Sequence, residues 1–353
     1  MKSRLRRWTN RRPNITRPSG SLPVGAGAHT FVLICGALFD QDVPNATTTY
    51  RMGLCRGFEQ LGIPYRLVSV FDLERELAEI PNPICFISGT DYQYLSNSDL
   101  AALAKQRHFV WIGPWFQGDR RFYEDHALEN LTDPNWLRRR ILSSSPDFVF
   151  TPVTESGHRY YAEWTRNGAT LISLPLACDT TKYRVDTNAP SEFRNVDVAF
   201  VGGYWPYKAI QFDRYLKPYE KRLTVFGYSR WPYAGFGGQI SEEKEPLLLN
   251  QARLCPAINE PHAEVIGGDI CERVYKVLGS GGMCVTDATA AHRDIFAADE
   301  LLVPRDLDHY HQLVKEVLND DDLCAEYRAR GHQAVMSRHT YVHRAQRILE
   351  ELG

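Results

Sequence analysis

The sequence predicts an α/β protein built from two doubly wound, Rossmann-like domains that face each other across a cleft. Three observations predict it. The chain has 353 residues, 43% of them hydrophobic, more than one ordinary core absorbs and far too apolar for a disordered chain. Short β-rich runs alternate with amphipathic helical stretches from about residue 30 onward, the pattern of parallel sheets covered by helices. The alternation dissolves around Ala177 to Asn195 into Asp, Thr, Asn, Pro and Ser, the composition of an exposed connection.

In the first half, strands are expected at Thr30–Gly36, Tyr65–Val70, Ile84–Ser88, Phe109–Gly113, Asp147–Thr151 and Thr170–Leu174. Each has an ordinary strand length. Helices are expected between them near 48–61, 97–106, 134–142 and 155–167. The second half restarts with Val196–Val201, a helix near 207–218, Arg222–Phe226, a helix at 242–250, Ala252–Ala257, a helix at 269–279, Met283–Thr286 and Leu301–Pro304. Three helices close the chain. The expected organisation is a basic arm (1–28), a first Rossmann-like domain (29–178), a linker (179–195), a second Rossmann-like domain (196–340) and a C-terminal helix (341–353) able to cross back to the first domain.

The longest apolar runs, such as Phe31 to Ala37, fall far short of the roughly 20 residues of a membrane span. No apolar stretch follows the basic N-terminus as a secretion signal requires, so a cytoplasmic location is expected. Lys2, Arg4, Arg6, Arg7, Arg11, Arg12 and Arg17 precede the first acidic residue, Asp40, in a chain of net charge −2. The rest of the chain is therefore acidic, and nucleic acid or an anionic surface would be met only through the arm. Eight scattered cysteines without a C-x-x-C pair point to free, buried thiols and to neither zinc nor redox chemistry.

Two stretches carry candidate chemistry. Gly202 and Gly203 directly follow a strand and lead into a helix, with Lys208 a few residues on. Bare backbone N–H groups, a helix start and a cation suit an anion such as phosphate. The second stretch places Asn259, Glu260 and His262 after a strand, then Gly267 and Gly268 before a helix with Asp269, Glu272, Arg273 and Lys276 at three- and four-residue spacing. That spacing predicts one polar face toward the cleft, with Arg273 able to neutralise a diphosphate by bidentate hydrogen bonds. Asp306-Leu-Asp308 and Asp320-Asp-Asp322 read as surface charge, and His339 with His343 as the polar face of a helix start, so no metal site is expected.

The blocks from Asp197-Val198-Ala199-Phe200-Val201-Gly202-Gly203, through Glu272-Arg273-Val274-Tyr275-Lys276-Val277-Leu278-Gly279-Ser280-Gly281-Gly282, to His339, Tyr341 and Arg344 carry a resemblance to a known family. Residues 195 to 352 resemble the C-terminal half of CgeB-like, spore-maturation-type glycosyltransferases, with a glycosyl transferase group 1-like donor domain in the wider GT-B set. The resemblance implies sugar transfer from a nucleotide diphosphate donor, UDP- or GDP-linked, to a hydroxyl acceptor, without a metal or other cofactor. It places Lys208 and Arg273 near the diphosphate, and Glu260 or His262 near ribose or sugar hydroxyls. Many related enzymes hold ribose with a glutamate five residues before the glycine of the following turn, where this chain has Lys276. A cation accepts no hydrogen bond, so either Glu272 substitutes, Lys276 meets phosphate, or the donor differs.

An inverting transferase also needs a base for the acceptor proton, from the first domain. Asp91, just beyond a strand's carboxyl end, ranks first, ahead of Asp40, Asp42 and Asp125-His126. The competing readings are a non-catalytic binding protein of the same fold and a nucleotide-sugar epimerase.

Overall fold

The computed structural model describes residues 29–36, 46–117, 134–186 and 188–352. Six strands, β1 (Thr30–Cys35), β2 (Tyr65–Ser69), β3 (Pro83–Ser88), β4 (Arg107–Trp111), β5 (Phe148–Thr151) and β6 (Leu171–Ser173), form one parallel sheet in the order β2-β1-β3-β4-β5-β6. Alternation decides which residue faces which layer. Val32, Ile34, Cys85, Ile87, Val110, Ile112 and Val149 point to one core, while Phe31, Leu33, Ile84, Phe86, Phe109, Trp111 and Phe150 point to the other. Burial on both faces explains why these strands read as continuous apolar runs.

The first face is covered by α2 (Leu73–Ala78), α3 (Asn97–Leu103), α4 (Pro134–Leu142) and α5 (Ala162–Arg166), following α1 (Ala46–Gln60) in the chain. The opposite face is covered by α1 and by the last helix of the chain, Tyr341–Leu352, through Tyr50, Leu54, Phe58, Tyr341, Ala345 and Ile348. Two glycines of α1 make that pairing close. A Cβ at Gly53 would lie 2.2 Å from the Tyr341 ring, and one at Gly57 would lie 2.5 Å from the Tyr341 carbonyl oxygen.

In the second half β7 (Val198–Val201) pairs in parallel with β8 (Leu223–Phe226). The sheet continues through single parallel bridges, Val198 to Leu254, Ala257 to Thr286 and Val285 to Leu302, so the expected strands near 252–257, 283–286 and 301–304 occupy successive positions. Helices α6 (Ala209–Tyr215), α7 (Lys244–Gln251), α8 (His262–Ile266), α9 (Glu272–Gly279), α10 (His292–Ile295), α11 (Leu307–Val317), α12 (Asp321–Arg338) and α13 (Tyr341–Leu352) complete the chain. α6 and α11 cover one face of the second sheet, and α7, α9 and α12 the other.

Several boundaries differ from those the sequence predicts. The helix expected near 207–218 stops at Tyr215, because Pro218 cannot donate to an α-helical ladder and the chain continues as a 3-10 turn, Lys217–Arg222. The one expected near 155–167 opens as a 3-10 turn, Glu155–Tyr161, before α5. α2 is unexpected, being six residues with only Leu73 and Leu77 buried, too short to show a helical period. Asp306 and Asp320 are N-caps, accepting from the N–H groups of His309 (2.8 Å) and Leu323 (2.9 Å). All eight cysteines are free and none is exposed. Among the described residues no helix is long and apolar enough to cross a membrane.

Candidate active site

β1 leads outward to β2, whereas β3 leads the opposite way to β4, so the crevice of this parallel sheet opens at the carboxyl ends of β1 and β3. Three residues meet there. Gly36 follows β1, Asp91 lies in the 3-10 turn Gly89–Tyr94 after β3, and Arg51 reaches in from α1. Arg51 forms an ion pair with Asp91, each side chain 6% exposed. Burial raises the Asp91 carboxyl above its ordinary 3.8, against the pull of Arg51 and of the Gly36 N–H. A carboxyl shifted that way is better matched to taking a proton near neutral pH. Arg51 escapes sequence reasoning because its partner lies 40 residues away.

The second sheet presents Gly202 and Gly203 directly after β7. Arg273, in the first turn of α9, reaches beneath them. Its Nε donates to the Val201 carbonyl (3.0 Å), its Nη1 to the Ile258 carbonyl (3.1 Å), and its guanidinium covers the Phe200 ring at 4.0 Å. A Cβ on Gly202 would lie 2.7 Å from Arg273 Nη2, so the missing side chain lets the cation approach the turn. Among the described residues no carboxylate forms an ion pair with Arg273.

Lys208 and Glu260 are brought together as an ion pair. Burial alone would raise the Glu260 carboxyl, but Lys208 and His262 hold it below its ordinary 4.5. His262 Nε2 and Asp269 Oδ2 are 2.9 Å apart and both residues are buried. Asn259 is a brace: its backbone N–H and Nδ2 donate to the Asp287 carboxylate (2.6 and 2.9 Å), and its Oδ1 accepts from the Cys271 N–H (2.7 Å). It fixes the loop that leads into α9.

The single polar face expected for residues 269–276 is not what forms. Asp269 precedes the helix, which begins at Glu272, and one residue of helical rotation separates Arg273 from Glu272. Glu272 is buried, accepts from the Tyr341 hydroxyl (3.1 Å) and pairs with Lys276 (3.1 Å), whose ammonium lies over Tyr183 at 5.3 Å. Glu272 and Lys276 therefore face the connection between the domains and α13, while Arg273 alone turns to the strand ends.

Gly268 is also engaged elsewhere. Its carbonyl accepts from the Thr154 N–H (2.9 Å), and its Cβ position would lie 3.1 Å from the Gly157 Cα. The Thr154 and Ser156 hydroxyls both donate to Asp294 (2.8 and 2.6 Å). Thr154 and Ser156 follow β5, so the carboxyl ends of the two sheets face each other at this corner. Asp40, Asp42, Asp125, His126 and the basic arm lie outside the described residues.

Residues 194–350 match the family described as glycosyl transferase-like. No curated protein sequence matches the chain. Among solved structures it is similar to HepE of Anabaena in complex with UDP and glucose, at 11% identity and TM-score 0.61, covering 92% of this chain and 99% of that one. T4 phage β-glucosyltransferase with UDP and Mn2+ is similar at 13% identity and TM-score 0.56, with coverage of 92% and 99%. Sucrose-phosphate synthase of Thermosynechococcus elongatus is similar at 11% identity and TM-score 0.61, with coverage of 92% and 98%. The chain thus has the GT-B fold, and its residues 194–350 match a glycosyl transferase-like domain.

Proposed function

We propose that the protein moves a sugar from a nucleoside diphosphate donor, held by the second domain, to a hydroxyl acceptor presented at the β1/β3 crevice of the first, within the CgeB-like branch of the family. The observation that carries this reading is Arg273. Two of its nitrogens are fixed by the Val201 and Ile258 carbonyls and its third lies beside Gly202, at the end of β7. A cation fixed this way is preorganised for the negative charge that develops on a departing diphosphate. Gly202 and Gly203 let the phosphates approach the backbone, and Lys208 supplies a second charge once it leaves Glu260.

On this reading Glu260, His262 and Asp269 border the sugar and ribose, while Asn259 shapes the loop and Gly268 the corner between the domains. Glu272 and Lys276 act on domain placement. The carboxylate missing at position 276 leaves ribose recognition to other groups. UDP is favoured over GDP because two of the similar structures hold UDP. Arg273 and Lys208 meet the diphosphate directly, so transfer is expected to persist in EDTA. Asp91 takes the acceptor proton as the new glycosidic bond forms, its carboxylate held by Arg51.

The test is turnover of UDP-glucose and GDP-mannose with and without EDTA, on wild type and Asp91→Asn. Nucleotide release by wild type, lost in the variant with folding retained, supports the reading. Donor interconversion without acceptor or water consumption would indicate an epimerase, and donor binding without any turnover a binding protein.

A further inference from the structure

Two large aromatic rings beside the β1/β3 crevice are left in solvent. Phe71 is 57% exposed and Tyr94 is 45% exposed, with their ring centroids 5.8 Å apart. Phe71 lies in the 3-10 turn Val70–Asp72 that follows β2, and Tyr94 closes the turn that follows β3. Both are therefore at the carboxyl edge of the first sheet, on either side of the end of β1. A Cβ at Gly36 would lie 2.5 Å from Asp91 Oδ1 and 2.8 Å from Tyr94 Cδ2, so carboxylate and ring converge over one bare glycine.

The turn that carries Tyr94 is held in place from below. Arg140 Nε donates to the Tyr92 carbonyl (3.0 Å), its Nη2 donates to the Leu95 carbonyl, and the Leu95 N–H closes back on Tyr92 (3.3 Å). Tyr94 sits inside that clamp. Adjacent exposed rings on a fixed turn mark a binding surface more often than isolated ones do. The charge around them selects among occupants. Asp72, Glu74, Glu76 and Glu79 outnumber Arg75 and Arg66, the two cations paired with Asp72 and Glu76, in and beside the segment that carries Phe71, and that net negative charge disfavours a phosphate backbone. Carboxylates accept hydrogen bonds from hydroxyls, and an aromatic face takes the apolar C–H face of a sugar ring.

We propose that Phe71 and Tyr94 are the acceptor platform, and that the acceptor is a saccharide whose pyranose ring stacks on them with one hydroxyl directed at Asp91. This rests on the transferase reading with Asp91 as base, and adds the class of acceptor. In the transfer the acceptor oxygen bonds to the donor's anomeric carbon and its proton passes to Asp91. The bond from that carbon to the diphosphate breaks, and its electron pair leaves with the nucleotide.

The test is saturation-transfer NMR on the full chain with the methyl pyranosides of glucose, galactose, mannose, N-acetylglucosamine and rhamnose, alongside a UDP melting shift. At least one glycoside is expected to receive saturation on its ring C–H protons. Phe71→Ala with Tyr94→Ala should weaken that signal at least tenfold, Tyr94→Phe should restore most of it, and the UDP shift should be unchanged. No signal from any glycoside, an equal signal in the double variant, or ring-dependent binding of a single-stranded oligonucleotide instead would overturn the proposal. Ring-dependent glycoside binding without any UDP shift would leave the platform standing and remove the nucleotide-donor reading.

Discussion

At the scale of single residues, the proposed transfer divides its chemistry between Arg273 on the second sheet and Asp91 on the first. Arg273→Ala is expected to lower kcat by about 30- to 1000-fold, corresponding to ~2–4 kcal/mol for loss of one preorganised electrostatic contact. Steady-state turnover of UDP-glucose measures it. Asp91 must be ionised to act, and burial raises its carboxyl. Turnover followed against pH in the wild type should therefore rise through a step above the ordinary 3.8 of an aspartate. Arg51 was illegible in the sequence, since nothing on α1 marks residue 51 as the partner of a carboxylate on another element. Lys276 was legible as a departure from a glutamate, but its contacts with Glu272 and Tyr183 depend on how α9 is rotated.

At the scale of elements, the strands of the first sheet were legible because a strand buried on both faces carries an unbroken apolar run, as in Phe31–Cys35. The seams between elements were not. Gly53 and Gly57, residues of a kind that weakens an isolated helix, are where α13 lies against α1. Gly53→Val should unseat Tyr341 and lower the melting temperature by several degrees, since about 1 kcal/mol corresponds to ~2–4 °C in a domain of 150–250 residues. Gly268, one of a glycine pair before a helix in the sequence, meets Thr154 and Gly157. A Cβ there would lie 2.6 Å from Val153 Cγ1, so Gly268→Val should separate the domains at that corner. An increased radius of gyration in solution scattering would register the change.

For the whole molecule, two devices among the described residues help to tie the domains. One is the polar corner of Thr154, Ser156 and Asp294. The other is the return of α13, where Arg344 donates to the Pro175 and Leu176 carbonyls (2.6 and 3.0 Å). His339 is packed beside this return, and burial, then Arg344 and Arg338, lower it from 6.5 to about 3. A histidine held neutral in the fold takes up protons only on unfolding across that window. Stability should thus fall as pH drops from about 6.5 toward 3, and less steeply in His339→Gln, as followed by urea unfolding.

The donor site is tested most directly by calorimetric titration of UDP into wild type and Arg273→Ala at one pH and salt concentration. UDP should bind wild type, and at least tenfold more weakly to the variant, a loss of about 1.4 kcal/mol or more. Equal affinity in the two proteins would contradict a donor diphosphate held at Gly202 and Arg273.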